Sequence, residues 1–462
     1  MAALLVLGAL ALTVLPAASA PSAAPAVEIG GPHLRADGHI ALAWLYGGSS
    51  ADYRAQIERA TGLTVISPTW WYLDRSDPGG LELSTDDELV AWSQARGLAV
   101  WPLLGNRIDP DLTDQVLRDP ALRQRLVDGT VAEVRRSGVE GVNVDFENLH
   151  DDTRFLLTDL VAELKAAMPD VVVSVDVTAM TDTWVLDNWS TAFDREGLGR
   201  VADYVMLMAY DQHNSLRRDG PVAGLQWVEE STAFLLRTVP AHKVVLGLPF
   251  YSRDWAEDPG ARDGIDLDAT LGMSAMGTRL AERSQSVTYD PVAGQDLHTY
   301  VDGRGRPHRV WHEDVASLQR KTALVEQHGL AGIAAWRAGF EQAEVWTALD
   351  AQLATMTRQL PAPVPVAAET AVSESALSAD PAPEPLADQA VAGADDDGSS
   401  TGALTDSAAT TDERADGGRL ADQGDVVLAS SNGPRTPLIA AATLLLMLVG
   451  SAALILARRE RS

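Results

Sequence analysis

The sequence predicts a (β/α)8 TIM barrel with a small insertion between its seventh strand and seventh helix. Three observations predict it. Short β-rich runs alternate with helical patterns through about 320 residues, from Gly38 to Leu360, a length normal for an α/β barrel. The runs are near-continuous in Val, Ile, Leu and Ala, as strands buried on both faces should be. Eight of them, interleaved with helices, make a series of parallel βα units.

In order, the expected strands are Ile40 to Tyr46, Leu63 to Ser67, Ala99 to Leu104, Gly141 to Asp145, Val171 to Val177, Tyr204 to Met208, Val244 to Leu248 and Gly332 to Trp336. Helical patterns fall between them at Asp86 to Ala95, Ala121 to Ser137, Thr153 to Ala167 and Leu318 to His328. The alternation breaks once. About 60 residues separate Phe250 from Trp311, and within them His298 to Val301 and His308 to Trp311 flank Asp302-Gly303-Arg304-Gly305 as a hairpin would. This insertion leaves from the C-terminal end of its strand, the face on which barrel enzymes build their sites, and is expected to wall a cleft, with a stabilising flap as the alternative.

The barrel is expected to occupy residues 36–357, between two kinds of terminal segment. Ala2 to Leu15 is an apolar run followed by Ala17-Ala18-Ser19-Ala20, which reads as a secretory signal peptide over residues 1–26. Residues 361–436 are rich in Ala, Pro, Ser, Asp and Gly; Pro361 to Gly433 holds 14 acidic residues against two arginines and lacks Trp, Tyr and Phe. Such a tract buries too little apolar surface to offset its ordering entropy and is expected to be a disordered tether. Leu438 to Ala457 is a 20-residue apolar stretch, long enough at 1.5 Å per residue to span a bilayer core of about 30 Å. Arg458-Arg459-Glu460-Arg461 behind it places residues 458–462 in the cytoplasm. The expectation is a single-pass cell-membrane protein with its barrel outside the cell.

Composition excludes some partners. The net charge of −29 argues against nucleic acid, for which a basic patch is expected. There is no cysteine, so the apolar core must supply the stability outside the cell. No His/Asp/Glu cluster has metal-ligand spacing and no Gly-rich phosphate loop appears, so neither a metal nor another cofactor is expected.

The chemistry concentrates at Gly141-Val142-Asn143-Val144-Asp145-Phe146-Glu147. Period-two alternation puts Asn143, Asp145 and Glu147 on one face and the apolar residues on the other. Same-face neighbours lie about 6.6 to 7 Å apart at Cα, at roughly 3.3 Å rise per residue. Two carboxylates that close resist joint ionisation, so one can serve as an acid near neutral pH. The bland alternative is a solvated strand terminus, and the other strand ends decide against it. The sixth ends in Met206-Leu207-Met208-Ala209-Tyr210-Asp211, the seventh runs on into Pro249-Phe250-Tyr251-Ser252-Arg253, and the eighth ends at Trp336.

In order and spacing these strand ends resemble glycoside hydrolase family 18, in particular its spore-cortex and cell-wall branch of N-acetylglucosaminidases. The resemblance runs from Ile40 to Leu349. It implies a retaining, substrate-assisted mechanism in which the substrate's 2-acetamido oxygen is the nucleophile. Glu147 then matches the general acid and later the base. Asp145 matches the residue that orients the acetamido group, Tyr210 the hydroxyl that holds its oxygen, and Trp336 the apolar floor under the sugar. Met208, Asp211, Gln212, Arg253, Tyr46 and Trp71 are expected to line the cleft, with Trp44 and Trp70 as further aromatic candidates. Two positions depart from the chitinase pattern: Asn143 and Glu140 stand where it has Asp. Asn143 is expected to donate a hydrogen bond to Asp145. The implied substrate is peptidoglycan. A chitinase or glycoprotein endoglycosidase, and a silent glycan-binding relative, are the alternatives; retention of both Glu147 and Tyr210 speaks against silence.

Overall fold

The computed structural model describes residues 33–214, 218–261 and 264–356. The segments expected as signal peptide, tether, membrane helix and cytoplasmic tail lie outside them. Among the described residues no helix is long and apolar enough to cross a membrane.

The strands in chain order are β1 (Ile40–Leu45), β2 (Val65–Pro68), β3 (Trp71–Leu73), β4 (Leu81–Leu83), β5 (Ala99–Val100), β6 (Leu103–Gly105), β7 (Gly141–Asp145), β8 (Val172–Thr178), β9 (Tyr204–Met208) and β10 (Val244–Pro249). After them come β11 (Tyr251–Glu257), β12 (Ile265–Gly272), β13 (Ser286–Asp290), β14 (Gln295–Val301), β15 (Pro307–His312) and β16 (Gly332–Trp336). Eleven of them form one curled sheet, in the order β4-β3-β6-β7-β8-β9-β10-β16-β1-β2-β5. Helices separate its long strands and give an α/β barrel-like fold. Ile40, Leu42, Trp44, Val65, Trp101, Leu103, Met206, Val245 and Ala334 pack together inside the curl.

The strand expected over Ala99 to Leu104 is two strands, for a chemical reason. Pro102 has no N–H to give to a ladder, and the chain changes neighbours there. The Trp101 N–H still bonds the Ile66 carbonyl (2.9 Å), and the Pro102 carbonyl accepts from the Asn143 N–H (3.0 Å). Trp101 then lies across Gly141, where a Cβ would meet its indole at 2.4 Å; only glycine lets β7 begin that close. The helix Pro120–Ser137 that delivers the chain to β7 starts with Pro120 behind an Asp119 cap and stops at Gly138 in the left-handed region (φ 69°), the Pro-first, Gly-last asymmetry of a well-punctuated helix. Its apolar residues Leu126, Val127, Val131 and Val134 face inward.

The insertion is more than the expected hairpin. The hairpin exists as β14 and β15, with Tyr300 opposite His308, but it sits in a five-stranded antiparallel sheet ordered β12-β11-β15-β14-β13. A helix over Met273–Arg283 covers it, and Leu271, Met276, Leu280, Tyr300 and Val310 give it a core of its own. The sheet was hard to foresee because β12 and β13 carry mostly polar or exposed residues and lack the apolar signature of a buried strand.

Candidate active site

Each candidate side chain is placed by the end of a strand. On β7, Asn143 is completely buried and Asp145 is the last strand residue. Glu147 follows two residues later and is only 7% exposed. Its backbone is pinned by a residue that sequence reasoning missed. Asn106, just past β6, accepts from the Glu147 N–H (3.1 Å) and donates to the Glu147 carbonyl (2.8 Å). Asn106 also accepts from the Ile108 N–H (3.1 Å). Arg107 and Ile108 take positive φ of 57° and 54°, a costly conformation for a β-branched residue, so this loop is held against local preference beside the cleft.

The electrostatics differ from a simple carboxylate pair. Burial is the first cause that pushes the Glu147 carboxyl well above its usual range, with the charges of Asp145 and Asp211 adding to it. Burial also pushes Asp145 up, to about 7. A third carboxyl, Asp176 on β8, is raised by burial and then by the charge of Asp145. Asp176 went unforeseen, although Ser174-Val175-Asp176 puts two polar residues at period two in an otherwise apolar strand, the same signal that marked Asn143 and Asp145.

Asn143 is not bonded to Asp145 as expected. Its Nδ2 donates to Asp176 Oδ1 (2.6 Å) and Ser174 Oγ (3.2 Å), and its Oδ1 accepts from the Trp44 indole (2.8 Å) and the Ser67 hydroxyl (3.3 Å). Glu140, the other departure, belongs to the opposite end of the strand. Its carboxylate accepts from the Val100 N–H (2.9 Å) and the Gln94 amide (2.8 Å) and stays clear of the cleft.

The sixth expected strand end is β9. Met208 ends it, and Tyr210 and Asp211 follow. Tyr210 is buried, its hydroxyl pushed up first by burial, and its ring meets Tyr251 edge-on at 6.4 Å. Asp211 adopts φ 64°, which Asp tolerates better than most residues, and turns its carboxylate to the insertion. There it accepts from the Tyr251 hydroxyl and pairs with Arg253 (2.7 Å). Tyr251 is thus a site residue not singled out from sequence, and Arg253, also bonded to the His213 carbonyl, ties the insertion to the β9 loop. The Gln212 side-chain oxygen accepts from the Gly224 N–H (2.8 Å), so its amide shapes the following loop.

Trp336 ends β16 partly exposed, with Trp44 at 6.1 Å and Tyr46 at 6.0 Å between ring centroids. Trp71 is a correction. Its exposure is 0% and its indole N–H donates to Thr85 Oγ1 (2.9 Å); period two on β3 turns Trp71 into the protein and leaves Tyr72 on the other face. Trp44 and Trp70 are buried as well. Tyr72 senses the cleft instead: its hydroxyl is pushed up to about 12 by burial and, further down, by the Asp145 charge, and Arg107 lies over its ring at 4.4 Å. In the insertion the fold also gathers Asp254, Asp268 and His308, whose ligand atoms lie within 4.8 Å of one another, a grouping that sequence spacing did not reveal. Arg279 reaches Asp254 (2.6 Å) and Asp268 (3.5 Å) and supplies positive charge there.

A curled α/β sheet with buried carboxyls, a tyrosine and a tryptophan at the C-terminal ends of its strands defines a barrel hydrolase. The chain belongs to the family 18 glycosyl hydrolases, whose family model matches residues 84–341; it is a glycoside hydrolase. It is 31% identical over 231 residues to a putative sporulation-specific glycosylase, YdhD, of Bacillus subtilis, covering 49% of this chain and 53% of that one. With the cortical fragment-lytic enzyme of the same organism it shares 27% over 239 residues, covering 51% of this chain and 55% of that one, so the chain spans about half the length of these two relatives. The crystal structure of the Bacillus cereus spore cortex-lytic enzyme SleL superposes with a TM-score of 0.63 at 20% identity over 69% of this chain and 75% of that one. A chitinase from Chromobacterium violaceum does so at 0.62 and 24%, over 68% and 99%. At these identities the superpositions show the fold.

Proposed function

We propose that the protein cleaves β-1,4 linkages after N-acetylglucosamine in peptidoglycan, with retention, using the substrate's own 2-acetamido group as nucleophile. The observation that carries this reading is Glu147, a buried carboxyl that burial and the charges of Asp145 and Asp211 push above its usual range, at the strand ends that also carry Asp145 and Tyr210. In this mechanism Glu147 gives its proton to the leaving glycosidic oxygen and then takes one from the incoming water. Asp145, as an anion, orients the acetamido N–H and offsets the positive charge that develops on the sugar. Tyr210 holds the acetamido oxygen for attack, Trp336 and Tyr46 floor the sugar, and Asp211 with Arg253 and Tyr251 keeps the insertion against the cleft.

Peptidoglycan is favoured because relatives of this chain are named for lysis of spore cortex and because Asn143 departs from the chitinase pattern. Chitin is the second reading, favoured by the close superposition on a chitinase. We further take the curled sheet as a closed (β/α)8 barrel, its ends joined through the two halves of the run Ala99–Gly105. From sequence alone, the barrel over residues 36–357 is held outside the cell membrane by the tether and the apolar segment 438–457.

Mass spectrometry of products from the full chain, incubated separately with insoluble peptidoglycan and chitin oligomers, tests this. Muropeptides ending in reducing N-acetylglucosamine are expected, and none from Glu147→Gln. Release of chitobiose with untouched peptidoglycan moves the assignment to a chitinase. Retention of either polymer without turnover makes the protein a glycan-binding relative.

A further inference from the structure

Three carboxyls, Asp145, Glu147 and Asp176, meet at the ends of β7 and β8. Among the described residues none of them forms an ion pair with Arg, Lys or His; Arg253 is engaged by Asp211 and Arg107 by Glu82. The parallel register that sets Asn143 beside Ser174 and Val144 beside Val175 brings Asp145 alongside Asp176 one step further on, at the roughly 4.8 Å spacing of paired strands. Asn143 is fully committed to Trp44, Ser67, Ser174 and Asp176, so it has no donor left for Asp145. Asp145 Oδ1 is buried and has no hydrogen-bond partner among the described residues, a costly state for a carboxylate oxygen. Asp211 adds its charge to Glu147, the acids in turn raise Tyr72 and Tyr210, and none of these three groups brings positive charge.

We propose that Asp176 is a positioning residue that carries a proton for the Asp145–Asp176 pair, with Oδ1 accepting from Asn143 and the protonated Oδ2 turned to Asp145 Oδ1. This rests on the reading that Asp145 works as an anion. Two adjacent carboxylates in a buried site resist joint ionisation, and burial raises both groups. A neutral Asp176 removes the repulsion, leaves the negative charge on Asp145 where positive charge develops, and supplies the donor that Asp145 lacks. The proton stays on Asp176 through the cycle, because Glu147 alone exchanges one with the leaving oxygen and water. Asn143 sets the orientation: by occupying Oδ1 with an N–H it leaves the hydroxyl to Oδ2.

Infrared spectra of the full chain at neutral pH test the proton directly. In the Glu147→Gln background, a carboxylic-acid carbonyl band is expected and should vanish when Asp176→Asn is added. A band unchanged by Asp176→Asn overturns the proposal. Kinetics test the positioning role. Asn at 176 can copy both hydrogen bonds, so Asp176→Asn is expected to lower kcat about fivefold with KM unchanged, whereas the similarly sized Asp176→Leu, which makes neither, lowers kcat about 100-fold. Equal kcat in the two variants overturns it. A wild-type chain inactive on every N-acetylglucosamine polymer would sink the functional reading, while the infrared comparison would still decide where the proton sits.

Discussion

Asn106 grips the backbone of Glu147 from both sides, accepting its N–H at 3.1 Å and donating to its carbonyl at 2.8 Å. The carboxyl proposed to react is therefore positioned by a side chain from a neighbouring strand end. Asn106→Ala leaves two buried backbone groups unsatisfied and is expected to cost about 2–3 kcal/mol of stability. It should also lower kcat more than about tenfold, since small displacements of a catalytic group are expensive. Urea unfolding and steady-state kinetics on the same preparation check both. Wild-type kcat in the folded variant would confine Asn106 to stability.

Trp71 and Trp336 both stand at strand ends, and their exposures assign them opposite effects. Trp71 is fully buried and bonded to Thr85, so Trp71→Ala should cost about 3–5 kcal/mol of stability, with KM unchanged at temperatures where the variant remains folded. Trp336 is partly exposed between Tyr46 and Trp44; Trp336→Ala should raise KM about tenfold and move Tm little, the loss of an aromatic contact being worth roughly 1–2 kcal/mol. Thermal melts paired with KM measurements separate the two residues, and a reversed pattern would contradict the placement.

Most of the sheet was legible because buried parallel strands write themselves as apolar runs, and the site strand because polar residues at period two interrupt one. The same logic reaches Asp176 when applied to Val172–Thr178, but a single buried Asp carries no motif. Asn106 is beyond such reading: it lies in a loop, and its role exists only because β6 and β7 are neighbours. Trp71 failed in the other direction. An aromatic at a strand end can face cleft or core, and one residue of register decides between them. The insertion's outer strands, being polar and exposed, left no hydrophobic pattern to find.

Glu313 and Lys321 form a buried ion pair where the insertion returns to the barrel. The Lys321 ammonium reaches both carboxylate oxygens (3.0 and 2.8 Å), Ser317 adds a bond at 2.7 Å, and the side chains are 0% and 1% exposed. Burial pushes the Glu313 carboxyl up while Lys321 opposes it. Lys321→Met strands a buried carboxyl and should cost about 3–5 kcal/mol, whereas Glu313→Leu combined with Lys321→Met should recover most of that loss. Chemical denaturation of the single and double variants measures the difference. A double variant no more stable than Lys321→Met would show that the pair does more than cancel its own desolvation.

Stability should fall as pH rises through the range in which the cleft carboxyls ionise. Asp145 has a folded pKa of about 7 against about 3.9 for an unfolded Asp. A group raised on folding contributes stability that is present below its unfolded pKa and lost as pH climbs through the folded one. For Asp145 that window runs from about pH 4 to about pH 7. Asp145→Asn cannot ionise, so its Tm relative to wild type should rise across this window and level off above it, while activity is lost. Glu147 and Asp176 are shifted in the same direction, so the variant should remove only part of the wild-type slope. Melting both proteins from pH 5 to pH 8 checks the sign: a variant that loses Tm relative to wild type as pH rises would mean that Asp145 is stabilised as an anion in the fold. Donation from a protonated Asp176 would then outweigh the burial of Asp145 over this whole range.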